Sequence, residues 1–249
     1  MRRRRRSRTV FETRSPWLGR IRVVDDRRER RLVVGGDTLS VFPLDGDWSP
    51  VRREYWWRAV ATAPLPRRPT VLLVGLGGGT QVHLLHQLAR PRLVTVIERD
   101  GAIVDVALRW FGLDGRDRLE FLCGAAETVV PWLGRVGRRF DFIMEDAAYA
   151  AASARALPLA RALVPLVAPG GGLVLNRHRQ LDARRTAATL RPFFGDVRVR
   201  LVRREGNNAL VICRFHTGGG SGRPLQTSPF ARGATTVRAS PTQLRGRRL

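Results

Sequence analysis

The chain has 249 residues, 43% of them hydrophobic, which is enough to build one substantial domain with a small appendage. No apolar run approaches the ~20 residues that cross a bilayer, so no membrane association is expected. The formal net charge is +24 and all 45 basic residues are arginine, a whole-chain bias of the kind a GC-rich genome produces.

Residues 1–14 carry seven arginines against Glu12. No apolar h-region or cleavage site follows the arginine run, so a secretory signal is not expected. The segment reads as a disordered basic tail. Residues 15–48 read as a small antiparallel β-unit. Ile21, Val23 and Val24 form one apolar run and Leu32 to Val34 another, with "DDRRER" and "GGD" as turns. The stretch "SPVRREYWWRAVATA" then predicts a helix, with Ser49 as its cap and Pro50 in its first turn. Trp56 and Trp57 on that helix read as packing between the β-unit and the main domain.

From Thr70 strands and helices alternate. The strands are "TVLLVG", "LVTVIE", "LEFLCG", "FDFIME" and "GGLVLN", each followed by a helix-patterned segment. "VRVRLVRR" and "NALVICRF" close the series as an antiparallel pair. This order predicts an α/β fold over residues 49–216, a doubly wound, mainly parallel sheet covered on both faces. Residues 217–249, with six arginines, no acid and much Gly, Ser, Thr and Pro, read as a second disordered tail. Such tails grip phosphates non-specifically. No aromatics alternate with these arginines, so solvated tails stand first and weak polyanion binding second. Cys123 and Cys213 fit no metal or redox spacing and read as buried residues of a cytoplasmic protein.

Gly75, Gly77 and Gly79 sit at a strand-to-helix turn, where the lack of a Cβ lets backbone approach a ligand. In a dinucleotide fingerprint the third glycine would fall on Thr80. Glu98 ends the next strand, placed to accept the ribose hydroxyls of a nucleoside, whether of NAD or of S-adenosylmethionine. His83 and His86 are three apart on a predicted helix, but no third ligand accompanies them, so no metal site is expected.

The turn "LVAPGGGLVLN" is typical of class I S-adenosylmethionine-dependent transferases. With "SPWLGRIRVVDD", "PLDGD" before "REYWWRAV", "VLLVGLGGGT", "VIERD" and "FDFIMED", the chain over about residues 15–215 resembles the spermidine synthase family and its bacterial spermidine-synthase-like relatives. Like that family, it lacks the usual methyltransferase acid two residues before the turn, having Leu73 there. The resemblance implies S-adenosylmethionine or its decarboxylated form as cofactor, bound over Gly75, Gly77 and Gly79 beside Glu98 and Arg99, with its adenine near Gly124 and Ala125. It implies Tyr55 as a pocket residue and Glu145 or Asp146 as the base or acceptor-orienting acid. A homodimer is also expected.

The chain departs from the family where charge is needed. The glycine turn holds no aspartate, Ala125 stands at the adenine contact, and Ala148 replaces the second acid of the fourth-strand motif. Trp56 replaces a polar residue after Tyr55. Leaving one partner of a desolvated ion pair unmatched costs roughly 3–5 kcal/mol, so classical spermidine synthesis is not expected. The expected function is an S-adenosylmethionine-type transferase of unknown acceptor. Two alternatives are a catalytically inactive nucleoside-binding or scaffold protein, and true polyamine aminopropyl transfer through Asp45, Asp47 or Asp146.

Overall fold

A computed structural model describes residues 7–62, 65–148, 151–203 and 207–215. Residues 1–6 and the tail read over 217–249 lie outside the described residues. Strands β1 (Arg8–Ser15), β2 (Gly19–Asp25), β3 (Glu29–Val34) and β4 (Asp37–Pro43) form an antiparallel meander in that order. Residues 8–14 were expected to be a disordered tail and instead form β1, so the β-unit begins at Arg8 and not at residue 15. Its arginines misled because an edge strand tolerates charge on its solvent face. Arg8 to Ser15 pair along β2 from Asp25 to Gly19. The half-buried Phe11 stacks on Trp110 at 5.3 Å, and Glu12 accepts two hydrogen bonds from Arg20 at 2.8 and 2.6 Å.

The single helix expected from Ser49 is divided. A 3-10 turn, Pro50–Arg53, ends at Glu54, whose extended backbone (φ −85°, ψ 163°) starts helix α1, Tyr55–Ala61. The main sheet then follows the expected alternation. It comprises β5 (Thr70–Val74), α2 (Thr80–Leu88), β6 (Leu93–Glu98), α3 (Gly101–Trp110), β7 (Leu119–Cys123), α4 (Ala126–Arg135) and β8 (Phe140–Glu145). After these come α5 (Ser153–Leu163), β9 (Val167–Arg177), α6 (Gln180–Leu190), β10 (Asp196–Arg203) and β11 (Asn207–Arg214). The strand order is β10-β11-β9-β8-β5-β6-β7, with β11 antiparallel to both of its neighbours. The "PGG" sequence read as a turn lies within β9 as a bulge. Phe140 pairs with Val167 but Phe142 with Gly172, and a Cβ on Gly171 would lie 2.9 Å from the Asp141 carbonyl oxygen.

Successive residues of β5 face opposite sides, as the two-residue period of a strand requires. Val71 and Leu73 join a core that includes Ile21, Val23 and Leu32 of the β-unit, while Leu72 and Val74 join the core covered by α4, α5 and α6. The β-unit is therefore sealed to the sheet by shared apolar burial. Trp56 is buried with Val41, Val51 and Leu84 at the same junction. Cys213 is buried, and burial pushes its thiol up to about 12. Cys123, expected to be buried, is exposed, because it ends the edge strand β7. No helix among the described residues is long and apolar enough to cross a membrane.

Removing residues 1–14 deletes all of β1 but Ser15 together with the Phe11–Trp110 stack, and should lower the thermal midpoint by roughly 5–10 °C, at 2–4 °C per kcal/mol for a chain of this size. Removing residues 1–6 alone should leave the midpoint in place; scanning calorimetry of the two truncations checks the difference.

Candidate active site

The C-terminal ends of β5, β6, β8 and β9 open into a cleft of about 820 Å3, walled on one side by the β-unit and α1. Gly75, Gly77 and Gly79 have positive φ (94°, 54° and 83°), which turns the chain out of β5 and into α2 within five residues. The space around this turn is already taken. A Cβ on Gly77 would lie 2.6 Å from Ser40 Oγ, one on Gly78 2.9 Å from the Phe111 ring, and one on Gly79 2.6 Å from Leu113. An aspartate at any of these three positions would have to displace Ser40, Phe111 or Leu113. The Gly78 N–H donates to Ser40 Oγ at 2.7 Å, and Thr80 exchanges hydrogen bonds with the Val41 backbone at 2.8 and 3.0 Å.

Glu98 sits at the end of β6 on the cleft wall. Its two carboxylate oxygens accept the N–H groups of Leu76 and Asp100, each at 3.0 Å, which fixes the side chain and leaves a lone pair on each oxygen. Arg99 stacks over Trp17 at 3.6 Å, and Ser15 donates to Asp100, so the β1–β2 hairpin tip is tied down beside Glu98. Gly124 lines the cleft, with its N–H bonded to the Glu98 carbonyl oxygen at 2.9 Å. Ala125 does not line it; it occupies the N-cap position of α4, while its neighbours Ala126 and Glu127 face the cleft.

The adjacent acids Glu145 and Asp146 separate onto opposite sides. Glu145, expected as one candidate base, is fully buried away from the cleft. It accepts from Arg177 Nη1 at 2.5 Å and from the Ala148 N–H at 2.6 Å. Removing either member of that pair would strand a buried charge, so the pair serves the fold. Asp146 lines the cleft. Its Oδ2 accepts from Tyr55 Oη at 2.9 Å and from Gln81 Nε2 at 3.4 Å, and its Oδ1 from Asn176 Nδ2 at 2.8 Å. Burial pushes its carboxyl up to about 7, with the Glu145 charge adding to the rise and the donors Asn176 and Tyr55 opposing it. Asn176 also donates to Asn208 at 3.0 Å, while its Oδ1 is buried without a partner among the described residues. That spare acceptor beside Asp146 suits an N–H donor.

Asn176, Gln81 and Asn208 were missed from the sequence. The signal for Asn176 was there: a lone amide ending the apolar run "GGLVLN" at a position that the strand must bury. Ala148 is itself buried in the apolar cluster under α5, so the family's second acid is replaced by packing. Asp45 and Asp47 do not line the cleft; Asp45 lies 3.9 Å from Arg28, and Asp47 accepts the Ser49 N–H at 2.9 Å. His83 and His86 do not converge. His83 Nε2 donates to the Phe111 carbonyl oxygen at 2.7 Å and Nδ1 accepts from Arg116 at 3.1 Å, which requires a neutral ring; burial accordingly lowers its pKa to about 4. His86 Nδ1 lies 2.9 Å from the Val82 carbonyl oxygen, and no group of metal-ligating side chains forms among the described residues.

No family model matches the chain. Among solved structures it is similar to spermidine synthase from Thermotoga maritima, with a TM-score of 0.64 at 15% identity over 85% of this chain and 74% of that one. It is also similar to human methyltransferase-like protein 13 in complex with SAH, with a TM-score of 0.54 at 22% identity over 69% of this chain and 86% of that one. The chain has the class I S-adenosylmethionine-dependent transferase fold. In sequence it is 40% identical over 78 residues to the eEF1A lysine and N-terminal methyltransferase of Danio rerio, covering 31% of this chain and 11% of that protein. It is 28% identical over 82 residues to the polyamine aminopropyltransferase of Vibrio vulnificus (strain CMCP6), covering 33% and 27%. The chain thus spans only a minor part of the curated relatives that it matches.

Because the folded-state pKa of Asp146 lies above its ordinary 3.8, the native protein holds that proton more tightly than the unfolded chain. The contribution of this group to stability is then fully present below about pH 4 and is lost as pH rises through about 7. Asp146→Asn, which does not ionise, should gain thermal midpoint over the parent at pH 8 and lose that advantage near pH 4. An equal difference at both pH values would show that the carboxyl is not perturbed.

Proposed function

We propose that this chain is a transferase that uses S-adenosylmethionine, or less favourably its decarboxylated form, and delivers a group to an amine that is not a classical polyamine. The observation that carries this reading is Asp146, a half-buried cleft carboxyl pushed up to about 7 and held by Tyr55 and Asn176. When bound, the nucleoside would supply an electrophilic carbon on its sulfonium. Gly75 would let its backbone approach, Glu98 would accept the ribose hydroxyls, and Arg99 with Gly124 would border the adenine side. An amine attacks only through a free lone pair, so an incoming ammonium must first give up a proton. Asp146 would take it, and the unpartnered Asn176 Oδ1 would accept a remaining N–H.

Both kinds of curated relative are named for transfer to amines, one to lysine and N-terminal groups and the other to polyamines, which supports an amine acceptor. The crowded glycine turn carries no acid to hold a second cationic group, which favours methyl over aminopropyl transfer. One observation favours aminopropyl transfer instead. Along the cleft, Glu29, Asp37, Glu54, Glu98, Asp100, Glu127 and Asp146 outnumber Arg31, Arg53, Arg99 and Arg155, an acidic wall in a strongly basic chain.

Calorimetry with S-adenosylmethionine, its decarboxylated form and methylthioadenosine tests the nucleoside site. Glu98→Ala should weaken binding by about 1.5–3 kcal/mol, the usual value of hydrogen bonds to a charged group; unchanged affinity would remove Glu98 from the site. For the reaction, kcat/KM with a peptide bearing a free amine should rise through about pH 7 as Asp146 loses its proton. Asp146→Asn should abolish transfer while nucleoside affinity stays within a few-fold of the parent. Nucleoside binding with no transfer to any amine would favour the inactive binding protein, and rapid spermidine formation from putrescine would favour the aminopropyl reading.

A further inference from the structure

The N-terminal ends of β5, β6 and β7 lie opposite the cleft, and the loop before each strand holds an arginine with left-handed backbone. These are Arg68 (φ 54°), Arg90 (φ 47°) and Arg118 (φ 59°), the only non-glycine residues with positive φ among the described residues. A side chain is disfavoured in this region, where the chain elsewhere uses glycine. Arg68 and Arg90 also precede Pro69 and Pro91, which narrows their backbone freedom further.

The loops are clamped together. The Arg68 N–H donates to the Ala89 carbonyl oxygen at 3.2 Å, the Arg92 N–H to that of Pro69 at 2.9 Å, and the Val94 N–H to that of Arg118 at 2.9 Å. Together with Arg67, the three arginines line a cavity of about 510 Å3 with Leu65 and Leu88. All four guanidinium residues are exposed. Arg118 Nε lies 3.4 Å from Asp117, and Arg67, Arg68 and Arg90 form no ion pair among the described residues. Neither a carboxylate nor an aromatic ring is among the described residues of the lining.

We propose that this cavity binds a compact oligophosphate, a run of adjacent phosphate groups such as inorganic triphosphate or the phosphate chain of a nucleotide. Guanidinium forks match phosphate oxygens in geometry and keep their charge at every working pH. Three guanidinium groups without an ion pair among the described residues and a fourth beside Asp117 line one hollow, and a multivalent anion relieves their mutual repulsion. The absence of a stacking ring makes phosphate, and not a base, the recognised group. The concave form and the fixed backbones favour a short anion over an extended strand. The strained backbone then has a function, because it aims side chains that glycine would lack.

The test measures binding of inorganic triphosphate to the full chain at ~150 mM salt, where diffuse attraction is screened beyond about 8 Å. Orthophosphate and a single-stranded RNA are run beside it. The combined Arg68→Gly, Arg90→Gly and Arg118→Gly variant should keep or raise its thermal midpoint, since glycine accepts the left-handed region, yet bind triphosphate about tenfold or more weakly. A charge-matched control, Arg161→Ala with Arg184→Ala and Arg185→Ala, removes three exposed helix arginines and should bind within about threefold of the parent. Should the glycine variant misfold, Arg67→Ala, whose backbone is not left-handed, should weaken triphosphate severalfold by itself. The proposal is overturned if the parent does not bind triphosphate, if the two triple variants lose affinity equally, or if RNA binds and triphosphate does not.

Discussion

The close approach of β4 to the glycine turn is the constraint on which the rest of the molecule depends. Ser40 accepts the Gly78 N–H, and Thr80 is joined to the Val41 backbone in both directions, so the β-unit is bonded to the loop that would carry a nucleoside. Such buried polar contacts are costly to break, since each leaves a donor or acceptor without water. They hold β4 against the strand ends, while Ser15–Asp100 and Trp17–Arg99 hold the β1–β2 hairpin tip, and together these contacts wall the cleft. Ser40 also crowds Gly77, and with Phe111 and Leu113 against Gly78 and Gly79 the turn favours glycine at three consecutive positions for steric reasons internal to the fold. A turn often read as a ligand cradle is here, in part, a packing joint.

The same economy governs the buried charges. Arg177 and Glu145 neutralise each other beneath the cleft floor, and Ala148 closes the space above Glu145 through its N–H. Asp146, one residue on, receives only neutral donors. A carboxylate beside a guanidinium is a poor base because its charge is satisfied; one beside hydroxyl and amide groups retains its affinity for a proton. Of the two neighbouring acids, only Asp146 combines neutral donors with a place on the cleft wall.

Much of the architecture was legible because the main sheet obeys simple periodicities. The alternation of apolar strands with helix-patterned segments gave the doubly wound order, and Glu98 could be placed from its position at the end of β6. The misreadings have specific causes. The strand Arg8–Ser15 was hidden by its arginines, since composition reports charge while a strand needs only one apolar face, supplied here by Val10 and Phe11, which a β-bulge between Thr9 and Phe11 brings to the same core. Choosing between Glu145 and Asp146 required knowing which faced Arg177, a contact 32 residues away in sequence. Asn176 escaped notice because a strand-ending amide acquires meaning only through its neighbours. The crowding around Gly77 to Gly79 depends on Ser40, Phe111 and Leu113, which no local motif connects.

The neighbouring strand ends β8 and β9 finish in complementary dipeptides, Glu145-Asp146 and Asn176-Arg177. Glu145 meets Arg177 on one face, and Asp146 meets Asn176 on the other. Side chains alternate faces along a strand, so sliding one end past the other by a single residue would exchange every pairing at once. The arginine would be drawn from its buried acid towards the cleft, and the amide would be left beneath it facing an unneutralised carboxylate. The dipeptides therefore act as a two-sided key that favours one alignment of the central strands, and the geometry around Asp146 is tied to an ion pair on the opposite face of the sheet.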